Sequence, residues 1–330
     1  MPNAPLTPTL TRRDLWVGGL CALAVLVIWT SFILVARSSA DRTLTSFDIA
    51  WLRFVFSGVL VLPWLAWRAG ALRQALGGER ATVLKRGGLL ALTAGVGYCA
   101  LAYSGFFFAP AAHAAVLMPG SLPLWTALLA VWLLGERLGR WRIAGLALIV
   151  TGGALVGGSS LLQAFDGGNT WIGDALFLAA GASWSLYGVL CRRWRIGAVD
   201  ATVAIALGCL VSYVPLYGLA VATGLVPTGL GRTPWAELAA QAVFQGGVTM
   251  LLAGVAYTRV VQIFGPVRTT MVTALVPGLA ALAAVPLLGE ALGPAALAGL
   301  VCVTAGLLLG LRTGRARQAP AAAVQAAPAA

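Results

Sequence analysis

Two tryptophans flanked by hydroxyl groups are the side chains in this sequence best equipped to hold a small solute. Trp29 precedes Thr30 and Ser31, and Trp184 lies between Ser183 and Ser185, with Tyr187 close behind. An indole can stack on a planar or apolar body, while the neighbouring hydroxyls bond to that body's polar end. Tyr98, Tyr103, Tyr257, Gln245, Thr249 and Ser121 lie deep inside apolar runs. A polar group at such depth needs a partner from a neighbouring helix or from a wet cavity. Arg53 and His113 stand near the starts of their runs. Each carries the charge to contact a carboxylate, although an arginine so placed can also snorkel to the surface. Pro123 and Pro277 fall within apolar runs and interrupt helical hydrogen bonding, which suits a gating hinge or a packed kink.

The same inventory argues against bond-making chemistry. The chain has ten acidic residues and one histidine, and the acids fall near the ends of runs or in the gaps between them. A membrane enzyme needs a cluster of His, Asp, Glu or Cys, and none is visible. Cys21, Cys99, Cys191, Cys209 and Cys302 are far apart, all within apolar runs and without a CxxC pair. That pattern reads as buried, reduced thiols rather than a disulfide framework or a metal site. No catalytic residue, metal or cofactor is expected. With no carboxylate at mid-membrane depth, movement down a gradient is simpler than an acid-based proton relay.

Long apolar elements carry these side chains. Of the 330 residues, 60% are hydrophobic and 10% charged, with a mean hydropathy of +0.90. Soluble domains hold about 25% charged residues, so a soluble enzyme or nucleic-acid binder is excluded. With about 20 apolar residues needed per span, the chain reads as an all-α polytopic membrane protein of ten helices. The runs fall at 15–36, 48–67, 87–109, 112–134, 143–162, 171–190, 201–223, 236–263, 267–288 and 295–311. The first follows Arg12 and Arg13 and spans 22 residues, longer than the roughly 7–15 of a signal peptide's apolar core. It is therefore expected to be retained. Residues 1–14 form a short N-terminal segment, and 315–330 an Ala/Pro/Gln tail expected to be disordered. A net charge of +12 would point to nucleic acid in a soluble chain. Here the basic residues sit in the gaps between runs, so the expected partners are a lipid bilayer and a small-molecule substrate, with no nucleic acid.

An internal repeat organises the whole. Residues 123–152 align with 277–306 at an offset of 154, with fifteen of thirty positions identical. Pro123 meets Pro277, Gly135-Glu136 meets Gly289-Glu290, Leu138-Gly139 meets Leu292-Gly293, and Gly152 meets Gly306. Ala102-Tyr103 meets Ala256-Tyr257 at the same offset, and Trp16 and Trp29 meet Trp171 and Trp184 at an offset of 155. Two five-helix units follow, at 15–162 and 163–314. An odd number of helices per unit turns the second copy upside down. Charge agrees: with a cytoplasmic N-terminus, 18 of the 22 basic residues fall on the inner side, as the positive-inside rule requires. Gly153/Gly157 and Gly306/Gly310 are small-xxx-small pairs suited to close packing within the chain. Trp16, Trp51, Trp141, Trp171, Trp194 and Trp235 lie near run ends, where an interfacial belt is expected.

The repeated pattern of Pro123, Gly135-Glu136, Leu138, Gly145 and Gly152 resembles the EamA domain of the drug/metabolite transporter superfamily. The Trp-containing first helix of each half and Leu52-Arg53-Phe54 in the second helix also fit. The resemblance implies ten transmembrane helices as two inverted EamA repeats around a central cavity, lined largely by helices 1, 3, 4, 6, 8 and 9, with both termini cytoplasmic. Within the family, the chain is similar to bacterial exporters of aromatic amino acids. That similarity implies a monomer in the bacterial inner membrane that exports aromatic or other apolar amino acids by alternating access. A proton-coupled exporter of drugs or another metabolite is the alternative.

Overall fold

A long apolar run with few turn residues can satisfy its backbone N–H and C=O groups within its own helix, which hydrocarbon surroundings demand. The computed structural model describes residues 11–311 apart from positions 41, 137, 166 and 274. Residues 1–10 of the N-terminal segment and the tail 315–330 lie outside the described residues. Among the described residues there are helices and no strand. In chain order the helices are α1 (Arg12–Ala40), α2 (Ser46–Ala75), α3 (Arg80–Gly105), α4 (Ala111–Leu134) and α5 (Arg140–Ala164). There follow α6 (Thr170–Trp194), α7 (Ala198–Ala222), α8 (235–273), α9 (Val276–Leu288) and α10 (Pro294–Leu311). The first seven and α8 contain stretches long and apolar enough to cross a membrane, whereas α9 and α10 are apolar but shorter.

Local sequence sets several helix ends. At α2 the Thr45 hydroxyl accepts from the Asp48 N–H at 3.1 Å, and the Asp48 carboxylate accepts from the Thr45 N–H at 2.9 Å. This reciprocal cap satisfies two donors that the first helical turn leaves open. At the ends of α4 and α9 the repeat becomes geometry. Gly135 and Gly289 both adopt φ +67°, a left-handed conformation that glycine enters at little cost. The next residue closes the same turn in each copy, Glu136 N–H to Ala130 O and Glu290 N–H to Ala284 O.

The two prolines are placed differently from their expected positions. The runs at 236–263 and 267–288 are not separate helices divided near 265. Instead α8 continues to Thr273, and α9 begins at Val276 with Pro277 in its first turn. In α4 the helix Ala111–Leu117 ends, residues 118–121 form a turn, and Leu122–Leu134 restarts with Pro123 in its first turn. Proline lacks the N–H that a first helical turn leaves unused, and its fixed φ suits that place. Pro123 and Pro277 therefore begin helical segments rather than kink continuous ones.

The most extensive helix–helix contact joins α5 to α10. A β-carbon on Gly145 would stand 2.6 Å from the Gly306 carbonyl oxygen, and one on Gly306 would stand 2.5 Å from that of Gly145. Gly152 and Gly299 face each other in the same way, at 2.6 and 2.7 Å. As residue numbers rise along α5 they fall along α10, so the helices run antiparallel. The repeat equates Gly145 with Gly299 and Gly152 with Gly306, so each glycine meets the equivalent of its helix-mate. Gly310 joins this contact, since the same β-carbon on Gly145 would stand 3.0 Å from the Gly310 nitrogen, whereas Gly157, expected to pack closely, faces open space and Gly153 makes only an ordinary contact at 3.6 Å with Leu117. The true contact face uses a seven-residue spacing, one glycine every second turn.

Two ion pairs join the repeats reciprocally. Arg37, in the last turn of α1, donates from Nε to Glu290 Oε1 at 2.7 Å. Arg192, in the last turn of α6, donates from Nη2 to Glu136 Oε1. Offsets of 155 and 154 map Arg37 onto Arg192 and Glu290 onto Glu136.

Candidate functional site

A cavity opens where the interrupted helices meet the tryptophan-bearing ones. Trp29, Phe32 and Ile33 of α1, Trp184 of α6 and Tyr98 of α3 form its aromatic and apolar walls. Met118, Pro119 and Leu122 contribute from the interruption in α4, and Val276 from the start of α9. Arg53 of α2 and Thr249 of α8 complete the lining. The cavity holds about 90 Å³ of water-accessible space, a narrow site beside the roughly 300–1,000 Å³ typical of small-molecule pockets.

The aromatic walls are braced from behind. Tyr257 stacks on Trp29 with ring centroids 5.5 Å apart and planes 21° from parallel. Tyr187 and Tyr98 flank Trp184 at 5.2 and 4.9 Å. Tyr98 also donates a weak hydrogen bond to the Met118 sulfur at 3.6 Å. Two π-helical stretches lie beside the cavity, Ala91–Val96 in α3 and Ala242–Leu252 in α8. The 154-residue offset carries 91–96 onto 245–250, inside the second stretch. The wider turn lets the Thr249 hydroxyl reach back five residues to the Phe244 carbonyl, at 2.8 Å. Such local widening of a helix recurs at functional sites.

Arg53 supplies the charge. It is 5% exposed, and its Nε has no hydrogen-bond partner among the described residues. Nη1 donates to the Tyr103 hydroxyl at 3.4 Å, and the guanidinium carbon lies 5.9 Å from the Phe32 ring centroid. The Tyr103 hydroxyl donates in turn to Gln245 Oε1 at 2.9 Å, and Gln245 is itself fully buried. Gln245 Nε2 donates to Gln241 Oε1 at 3.4 Å, and Gln241 Nε2 to the Ser39 hydroxyl at 2.7 Å. This chain of side chains links the cavity to the end of α1. Among the described residues no carboxylate pairs with Arg53. The nearby buried Asp48 is saturated by Tyr217, Thr228 and Gly229 at 2.8, 2.6 and 2.9 Å.

The cavity gathers Trp29, Trp184, Tyr98, Thr249 and Arg53 from the expected set. Tyr103, Gln245, Tyr187 and Tyr257 form a layer behind it. The hydroxyls expected to face a solute are mostly engaged elsewhere. Ser183 donates to the Thr93 carbonyl at 2.6 Å and Ser121 to the Leu117 carbonyl at 2.5 Å. In both cases the interrupted or widened helix offers a carbonyl at close range. Ser31 is half-buried on α1 and does not line the cavity. His113 faces Asp174, Nδ1 to Oδ1 2.8 Å, and is not part of the lining. Trp51 is half-buried, and its Nε1 donates to the Val214 carbonyl at 3.2 Å and fixes α2 against α7. Trp16, Trp141, Trp171 and Trp235 are exposed. Phe32, Ile33, Met118, Pro119, Leu122 and Val276 were not foreseen as lining residues. For Phe32 a signal existed: at the 155-residue offset it is the counterpart of Tyr187.

The two halves of this architecture each match one family model, over residues 16–158 and 171–312, described as the EamA-like transporter family. The chain belongs to the EamA-like transporter family. It is accordingly a multi-pass membrane protein of a family that moves small molecules. A solved structure titled only "Crystal structure of protein" superposes with a TM-score of 0.55 at 21% identity, covering 89% of this chain and 96% of that one. That likeness is one of fold. No curated protein matches the chain. For an EamA protein the lining comes largely from the first, third, fourth, sixth, eighth and ninth helices, and here Arg53 adds a contribution from α2.

Proposed function

We propose that the chain is an exporter of aromatic or other apolar amino acids that works by alternating access. In this reading all ten helices are transmembrane and the two five-helix halves are inverted. Both termini are cytoplasmic, in a bacterial inner membrane. The observation that carries it is the cavity framed by the repeat-related Trp29 and Trp184, with one buried cation in its wall. Large aromatic surfaces favour an apolar body at low entropic cost, and a site between inverted halves suits rocking of one half against the other. Support for inversion comes from the antiparallel Gly145–Gly306 and Gly152–Gly299 contacts, and from basic residues concentrated in alternate connections.

Facilitated diffusion is the simpler mechanism, because no acidic side chain lines the cavity among the described residues. The test uses purified protein in liposomes with a panel of labelled amino acids, with and without an imposed pH gradient. Aromatic uptake indifferent to the gradient is the expected result. Absence of any amino-acid flux overturns the substrate assignment. The proton-coupled exporter has one observation in its favour. His113 and Asp174 form a part-buried pair in which the buried Asp174 Oδ2 lacks a partner among the described residues. Flux that collapses without a pH gradient, and in Asp174→Asn, would select that reading.

A further inference from the structure

We infer that the cavity selects for a carboxylate joined to an aromatic or apolar body and has no charged partner for an ammonium group, so that aromatic monocarboxylates are ligands in their own right. The inference rests on the transporter reading and narrows its substrate class. Among the described residues, Arg53 is the only ionised side chain in the lining. Its burial without a carboxylate partner among those residues is costly in a membrane interior, and intramembrane charge of this kind marks a ligand or ion pathway. A guanidinium presents several donors in a planar fork matched to a carboxylate. Here Nη1 meets only a neutral phenol, and Nε meets no acceptor among the described residues. An incoming carboxylate would therefore supply the missing charge and acceptors together.

The ammonium of an amino acid finds no equivalent. Among the described residues no acid lines the cavity: Asp48 is held by Tyr217, Thr228 and Gly229, Glu290 by Arg37 and the Ala111 N–H, and Asp174 faces His113 through Oδ1. The polar group of Thr249 already donates to a backbone carbonyl. An ammonium group would have only the ring faces of Trp29, Trp184 and Tyr98 and leftover lone pairs, with the Arg53 charge in the same wall, a poor substitute for a counter-ion in a desolvated site. Trp29, Trp184 and Tyr98 accept the rest of the molecule with no preference between an amino acid and its deaminated analogue.

Three ligands that share one ring and one two-carbon arm separate these terms: phenylalanine, 3-phenylpropionate and 2-phenylethylamine. Binding is measured by calorimetry on the detergent-solubilised full chain, and flux by counterflow in liposomes. The expected result is 3-phenylpropionate binding at least as tightly as phenylalanine, with 2-phenylethylamine at least about 100-fold weaker than either. Arg53→Gln should lower affinity for both carboxylates by about 10- to 100-fold, and Arg53→Lys by less. Amine binding equal to that of the carboxylates, or no binding by any of the three, overturns the inference. The ranking of the three ligands on the unmodified protein decides the matter even if the Arg53 variants fail to fold. Carboxylates that bind but do not cross would sink the transporter reading and leave the binding site standing.

Discussion

Glu290 holds Arg37 at 2.7 Å and, with its other oxygen, accepts the Ala111 N–H at 2.8 Å. One carboxylate thus ties the end of α9 to the end of α1 and to the start of α4, which spans the two repeats. Its counterpart Glu136 ties the end of α4 to Arg192 at the end of α6, with Arg142 3.7 Å away. The copies share positions but differ in exposure. The side chains of Arg37 and Glu290 are 24% and 15% exposed, those of Arg192 and Glu136 54% and 31%.

That difference predicts unequal energies. Glu290→Gln removes a shielded, charge-assisted pair and should cost about 1–3 kcal/mol. Glu136→Gln weakens a solvated pair and should cost less than about 1 kcal/mol. Thermal unfolding of the detergent-solubilised variants checks the order. A larger loss for Glu136→Gln would contradict it, and Arg37→Glu combined with Glu290→Arg should recover part of the single-variant losses.

At the α5–α10 crossing, Gly152→Val would drive a side chain into the Gly299 carbonyl, so the helices must separate. A loss of more than about 2 kcal/mol, or no folded protein, is expected, in the range for overpacked contacts. Gly157→Val, pointing into open space, should be tolerated. The yield of monodisperse protein in size-exclusion chromatography distinguishes the two. Equal yields would mean that the glycines do not set the approach.

Trp29→Ala and Trp184→Ala should each reduce flux by about tenfold or more while leaving the fold intact. Each indole contributes a wall of the cavity, and loss of such a stacking surface removes roughly 1–3 kcal/mol of ligand contact. Liposome flux, paired with unfolding temperature, reads this directly. Normal transport by both variants would remove these residues from the site.

Pro123→Ala and Pro277→Ala should leave unfolding temperature within a few degrees, because each proline sits in a first helical turn where its missing N–H is not needed. If the interruptions before them flex during transport, both variants should slow turnover at unchanged substrate affinity. A large stability loss would show that the prolines pack rather than pivot.

The sequence by itself determined the class of fold and its duplication. Apolar runs of bilayer length, with little charge, admit helices and exclude soluble architectures. The register of Pro, Gly-Glu and Leu-Gly survives as matching caps at Gly135 and Gly289. The outline of the site was legible too, because Trp29, Trp184 and Arg53 are residue types whose depth in an apolar run requires an explanation. What only the tertiary structure decided is which polar group meets which. Tyr103 and Gln245 are 142 residues apart in the chain yet 2.9 Å apart in space, and no local pattern encodes that distance. Periodicity gives little help, since lipid-facing and core-facing sides of these helices are both apolar and carry no amphipathic contrast. The same lack of contrast hid the π-helical widening at Thr249 and the glycine face by which α5 meets α10. Each of these depends on how closely two backbones approach, which is fixed only when the helices pack.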